Sequence, residues 1–370
     1  MRIVADEDVS APNKGTVNIQ PRHIKRMLMI SGLIVLAVTS VGLAALIYPS
    51  LPRRSISMRF DGFIVLPKRA SLNVLDYMTL NGRDLFIAGT SLGRIFKVEI
   101  DPGEQRTGKL VAELTGAKGV HGVAVVASKT IAFFTKDGDN TVGVLDAETL
   151  KLVGTIPVAD DPDAILYAES ANLVYVANGD AKVATIIDPD KRATVGVIQL
   201  GGKPEYPAID PQNGLLYQNL KDTDSVVALD LITRTVAGRW PLKPCEGPSG
   251  MAIDSARRRL FSVCSGNAML VVFDLARHRL IAAIPVGNRP DSVAFDPLLR
   301  RIYVAGVGGK LTVIQQNSPD SYQVLENIST HYGAHTLALD PETHKVYVAY
   351  ASLLTYPRIA VFSPLPSKGH

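Results

Sequence analysis

From Leu75 onward the chain repeats itself. A dipeptide ahead of an apolar run returns as Leu75-Asp76, Val120-His121, Pro162-Asp163, Pro204-Glu205, Pro248-Ser249, Pro290-Asp291 and Ala334-His335, at spacings of 45, 42, 42, 44, 42 and 44 residues. In the last six units an aromatic lies thirteen residues after the dipeptide opens: Phe133, Tyr175, Tyr217, Phe261, Tyr303 and Tyr347. The first unit is shorter, with Phe86 eleven residues after Leu75, because Asn81-Gly82 is expected to make a tight two-residue hairpin. The unit Thr155–Leu200 shows what each contains. Four apolar runs, AILY, LVYVAN, VATIID and TVGVIQL, are divided by polar turns such as NGDAK and PDKR. Short β-branched runs bounded by Asp, Asn, Gly and Pro read as strands. Four strands in a period of about 40–50 residues are one blade of a β-propeller. The chain is therefore expected to be all-β, a seven-bladed β-propeller of four-stranded blades.

The ends support that count. The last unit supplies only three strands, ending at Arg358–Phe362, whereas Gly62–Leu66 (GFIVL) precedes the first unit and looks like the fourth strands GTIPV and AAIPV. This early strand is expected to complete the seventh blade and close the ring, leaving no long unpaired edge. Ahead of it, residues 1–26 are polar and end in the basic cluster Arg22–Arg26. Met27–Tyr48 is 22 residues without a charge, and roughly 20 such residues span a bilayer as a helix. We read residues 1–26 as a cytoplasmic tail, 27–48 as a transmembrane signal anchor, 49–56 as a linker, 57–364 as the propeller and 365–370 as a C-terminal tail. Gly42-Leu43-Ala44 offers a small-x-small cleavage site for the rival reading, a cleaved signal. The 26-residue leader and long apolar core fit an uncleaved anchor better. The basic cluster favours the N-terminus inside and the propeller outside.

Charge excludes little beyond this. A formal net charge of +4, part of it beside the apolar segment, makes no global case for nucleic-acid binding. No Gly-rich phosphate loop ahead of a helix, GxSxG elbow or CxxCH haem site is present.

Val174-Tyr175-Val176-Ala177-Asn178, the turns Gly201–Glu205 and Gly287–Asp291, and the strand 140–146 resemble the YVTN-type (YncE-like) seven-bladed propellers of bacterial periplasms. So do Asp76-Tyr77, His121-Gly122 and Cys245–Gly250 with Leu260–Cys264. The resemblance covers about residues 57–363 and is specific for fold. It implies a bacterial inner-membrane, single-pass protein with its propeller in the periplasm, or a periplasmic one after cleavage. A single-stranded DNA-binding role proposed in that family does not carry over by fold alone.

In this topology the second residue of each dipeptide opens the innermost strand at the mouth of the central channel. The ring is Asp76, His121, Asp163, Glu205, Ser249, Asp291 and His335. His335, Asp76 and His121 come from neighbouring blades, so they could hold a divalent metal, with Asp291 and Asp163 beside them. They could instead serve as a general acid and base, or merely solvate a wet funnel. The turns Lys136–Asn140, Asn178–Asp180 and Lys221–Asp224 open on the same face and read as β-turns. Cys264 should lie nearest Ser249, so a Cys245–Cys264 disulfide requires Glu246–Pro248 to fold back. Trp240 reads as outer-edge packing. Arg257–Arg259, Arg277–Arg279 and Arg300-Arg301 read as solvated turns on the opposite face.

The function expected is a membrane-anchored module that binds a periplasmic protein or small ligand through its channel face. One rival is a metal-dependent lyase or lactonase-like enzyme on His121, His335 and Asp76. The other is single-stranded nucleic-acid binding, for which Tyr206, Tyr350 and Tyr356 are the available exposed aromatics.

Overall fold

The computed structural model describes residues 55–68, 72–100, 107–353 and 356–366. Among these, seven four-stranded antiparallel sheets follow one another in chain order, with a two-stranded ribbon of Leu72–Asn73 and Ser352–Leu353 beside them. In blade three the strands are Pro162–Ala168, Leu173–Asn178, Val183–Asp188 and Ala193–Gln199. The middle two strands of a blade are covered on both faces and are apolar almost throughout. Outer strands such as Lys109–Thr115 alternate, one face packed and one in water. The ring is closed as the sequence requires: Met58–Val65 pairs antiparallel with Arg358–Pro364, in a sheet completed by Val346–Tyr350 and Thr336–Leu339. The entering chain is pinned where Ser55 Oγ donates to Glu326 at 2.6 Å and Ser57 Oγ donates to the same carboxylate at 2.9 Å.

Each periodic aromatic, from Phe86 to Tyr347, is buried in the second strand of its blade. One also ties blades together: the Tyr175 hydroxyl donates to Gln218 of blade four at 2.7 Å. A second ladder runs round the opposite end of the channel. Asp210, Asp254 and Asp296, buried at or beside the ends of first strands, cap their own turns with one oxygen. The other oxygen takes a donor from the following blade: Arg258 on Asp210, Gln316 on Asp254, and His344 Nδ1 on Asp296 at 2.8 Å.

This ladder corrects the reading of the basic runs. Arg258 is spent on Asp210, while Arg259, buried, pairs with Asp274 at 3.2 Å and Asp320 at 2.7 Å. Arg301 is buried too and donates to the Leu365 carbonyl. Arg279 and Arg300 stay exposed. Trp240 lies in the fourth strand of blade four, stacked on His278 of blade five at 4.3 Å.

Two local expectations shift by one residue. The first hairpin turns on Gly82-Arg83, since Asn81 and Asp84 are already paired; Gly82, at φ +56°, takes the left-handed position. Cys264 pairs with Pro248 rather than Ser249. The backbone does fold back there, with Ser265 N donating to Gly247 O and Gly266 N to Glu246 O, and Cys245 and Cys264 are bonded across a Cα separation of 5.2 Å. The tail 1–26 and the apolar segment Met27–Tyr48 lie outside the described residues. No helix among the described residues is long and apolar enough to cross a membrane.

Candidate functional site at the channel mouth

The ring residues lie between two residues before and one residue after the first residue of the innermost strands, so seven blades deliver them to one end of the channel. They are not equally close. Asp76, His121 and Asp163, from blades one, two and three, converge: His121 Nδ1 lies 2.8 Å from Asp76 Oδ2 and 3.6 Å from Asp163 Oδ1. Ligating atoms of these three residues all fall within 4.8 Å of one another, and no other such group occurs among the described residues. His335, nominated with Asp76 and His121 from sequence, sits apart from them. Its Nδ1 is 2.8 Å from the Gly333 carbonyl, and it forms no ion pair with Asp76. Ser249 is buried, its hydroxyl donating to Pro290 O at 3.4 Å. Glu205 is held by Lys221 at 2.7 Å.

The cluster is built by backbone as much as by side chains. Asp76 N donates to Ala88 O and Tyr77 N to His121 O, tying blade one to blade two just beside the cluster. Thr90 Oγ1 donates to Asp76 Oδ2 at 3.3 Å. Between blades two and three, Gly122 N donates to Thr135 Oγ1, which donates on to the Asp163 carbonyl. A fourth member comes from a turn read as structural only. Asp137 begins a single 3₁₀ turn, Asp137–Asp139, and its carboxylate lies 3.3 Å from His121 Nε2. Gly119 makes that approach possible, for at φ +64° its missing Cβ would stand 1.5 Å from Asp137 Oδ1.

Electrostatics follow from the crowding. Burial alone would lower the His121 pKa, but hydrogen bonds to Asp76 and Asp137 and the charge of Asp163 outweigh it and push it up to about 9. The imidazolium then donates from both nitrogens. Burial, and next the Asp76 charge, hold the Asp163 carboxyl far above the usual carboxylate range, with His121 opposing. Burial likewise raises Asp291 against His335, and Glu205 against Lys221. Tyr77 titrates well above an ordinary tyrosine because it is buried and because Asp163, Asp76, Glu205 and Asp291 all face it.

Tyr77 also decides the channel's shape. From blade one it meets Tyr206 of blade four, ring centroids 5.0 Å apart. The other residues at that register are small, Gly122, Ala164, Gly250, Ser292 and Thr336, which leaves the two rings the space to stopper the channel. Tyr206 is thus committed to packing and Tyr350 is buried; of the three aromatics named for base stacking, Tyr356 is exposed. The site gathers three carboxylates around the His121 imidazole, with the Tyr77–Tyr206 pair following directly after the ring positions in sequence. One imidazole and two carboxylates suit a divalent transition metal, which would compete with the proton on His121 because ligands bind deprotonated.

No family model matches the chain, and no curated protein matches it. Among solved structures it is similar to a chain of Kuenenia stuttgartiensis hydrazine synthase, with a TM-score of 0.64 and 17% sequence identity over 77% of this chain and 94% of that one. At that identity the likeness is one of fold: this chain is a seven-bladed β-propeller.

Proposed function

We propose that the chain is a binding module of the YVTN type, anchored in the bacterial inner membrane by residues 27–48 with its propeller in the periplasm, and that its ligand enters the channel mouth as a cation. The observation that carries this is the convergence of Asp76, Asp137 and Asp163 on His121 above the Tyr77–Tyr206 stopper. Three carboxylates around one imidazole leave an excess of negative charge in a concave site, which favours a positive guest. A divalent transition metal ion satisfies that charge with Asp76, Asp163 and the deprotonated His121 as donors. The test is titration calorimetry of zinc, manganese and copper into the full chain and into Asp76→Asn/Asp163→Asn. Saturable binding by the wild type, weakened at least tenfold in the variant, supports the reading; equal heats in both overturn it.

A second reading, a metal-dependent lyase or lactonase-like enzyme, draws on the Asp163 carboxyl held toward neutral pH beside His121. Such a pair suits proton transfer. Turnover of any lactone or uronide substrate that is lost in Asp163→Asn at unchanged metal content would favour it over simple binding.

A further inference from the structure

We propose that the end of the propeller opposite the mouth docks on an anionic lipid surface through the turns of blades five and six. The inference rests on reading residues 27–48 as an anchor, and three features of the described chain carry it.

First, the chain enters at this end. Ser55 and Ser57 are clamped to Glu326 of blade six, so the point that tethers the propeller is fixed on this face. Second, the turns beside the entry are basic. Of the seven arginines in Asp254–Arg259, Asp274–Arg279 and Asp296–Arg301, Arg257, Arg258, Arg259 and Arg277 pair with Asp254, Asp210, Asp274 and Asp320, and Arg301 is buried on backbone carbonyls, which leaves two. Arg279 and Arg300 are exposed and form no ion pair among the described residues. Third, apolar side chains project beside them. Ile56 is 76% and Leu298 75% exposed, and both line an open groove of about 960 Å³ together with Arg300, Leu365 and Pro366.

Ile56 and Leu298 share this one groove with Arg300, and a contiguous apolar pair beside an unpaired arginine suits an interaction surface. Arginine pairs with phosphate through two parallel hydrogen bonds, while an aliphatic side chain enters the acyl boundary beneath. A nucleic acid would use the arginines but leave Ile56 and Leu298 in water, so the combination favours lipid. The chain leaves one molecular consequence: the acidic mouth points away from the lipid, open to a soluble ligand.

The test uses the full chain in lipid nanodiscs, with Leu298→Cys carrying an environment-sensitive dye and Asp180→Cys as the control at the opposite end. Brominated lipids report contact. Quenching of the Leu298 label, stronger in discs containing phosphatidylglycerol than in phosphatidylcholine alone, with no quenching at position 180, is expected. At about a fivefold contribution from each arginine, Arg279→Gln/Arg300→Gln should lower the docked-to-undocked ratio roughly 30-fold. A chain that stays in washed discs while its Leu298 label is unquenched overturns the docking with the anchor intact. A chain washed out of the discs instead refutes the anchor, and adding it to vesicles then decides the face by the same quenching. A dye response to single-stranded DNA but not to lipid assigns the surface to nucleic acid and overturns the proposal.

Discussion

Replacing His121 by glutamine should change how stability depends on pH more than it changes the fold. The side chain is 21% exposed and lies against three carboxylates. In the unfolded chain it titrates near 6.5; in the folded one its pKa is about 9. A raised folded pKa means a contribution fully present below about pH 6.5 and lost as the pH climbs through about 9. At roughly 1.4 kcal/mol for each tenfold change in the proton equilibrium, that contribution is about 3 kcal/mol. Asp163, also raised, acts in the same direction, but its charge and that of His121 act on one another, so the two are not summed. Glutamine preserves a hydrogen bond to Asp76 and carries no charge. The assay is denaturant unfolding of metal-free protein across this pH range. Wild type is expected to lose about 3 kcal/mol between pH 6.5 and 9, and His121→Gln to start lower and fall less steeply, the two curves converging at the alkaline end. Parallel curves would refute the account of the cluster.

Arg258→Ala strands the buried Asp210 carboxylate and should cost about 3–5 kcal/mol, read as a fall in unfolding midpoint; a loss below 1 kcal/mol would mean water replaces the pair. Cys245→Ser/Cys264→Ser opens a loop spanning a sequence separation of 19, and loop closure of that size is worth about 3 kcal/mol, measurable also as sensitivity of the wild type to reductant. Deleting residues 57–67 removes the strand that pairs with Arg358–Pro364. The ring should then open, giving protease cleavage within blade seven before the other blades and loss of cooperative unfolding; unchanged protease resistance would contradict closure by this strand.

The architecture was legible because it is periodic. Spacing of the dipeptides and the thirteen-residue step to each buried aromatic are consequences of strand length and turn size, both local quantities. The closing strand was legible for the same reason: Gly62–Leu66 reads as a fourth strand with no blade of its own. Site geometry was harder. The two histidines of the ring single out His121 and His335 with Asp76 between them, yet His335 bonds the Gly333 carbonyl and it is Asp163 that joins His121 and Asp76. Asp137 was missed because a turn aspartate is expected at that place anyway, and only the φ of Gly119 and the space it leaves bring the carboxylate to His121. Tyr77 stands out in the sequence only as part of a motif, for nothing local signals that it will meet a ring from blade four. The arginines misled in the opposite way. Their partners, such as Asp210 for Arg258, stand in another blade, and a run of like charge in one turn says nothing of the acid waiting next door.

The central claim is that the mouth cluster binds a cation. The most direct measurement is the elemental content of the full chain after incubation with zinc, manganese or copper and removal of excess, beside Asp76→Asn/Asp163→Asn and His335→Ala. About one equivalent of one metal is expected in the wild type, kept in His335→Ala and lost in the double variant. Metal retained equally by all three proteins, or by none, would contradict it.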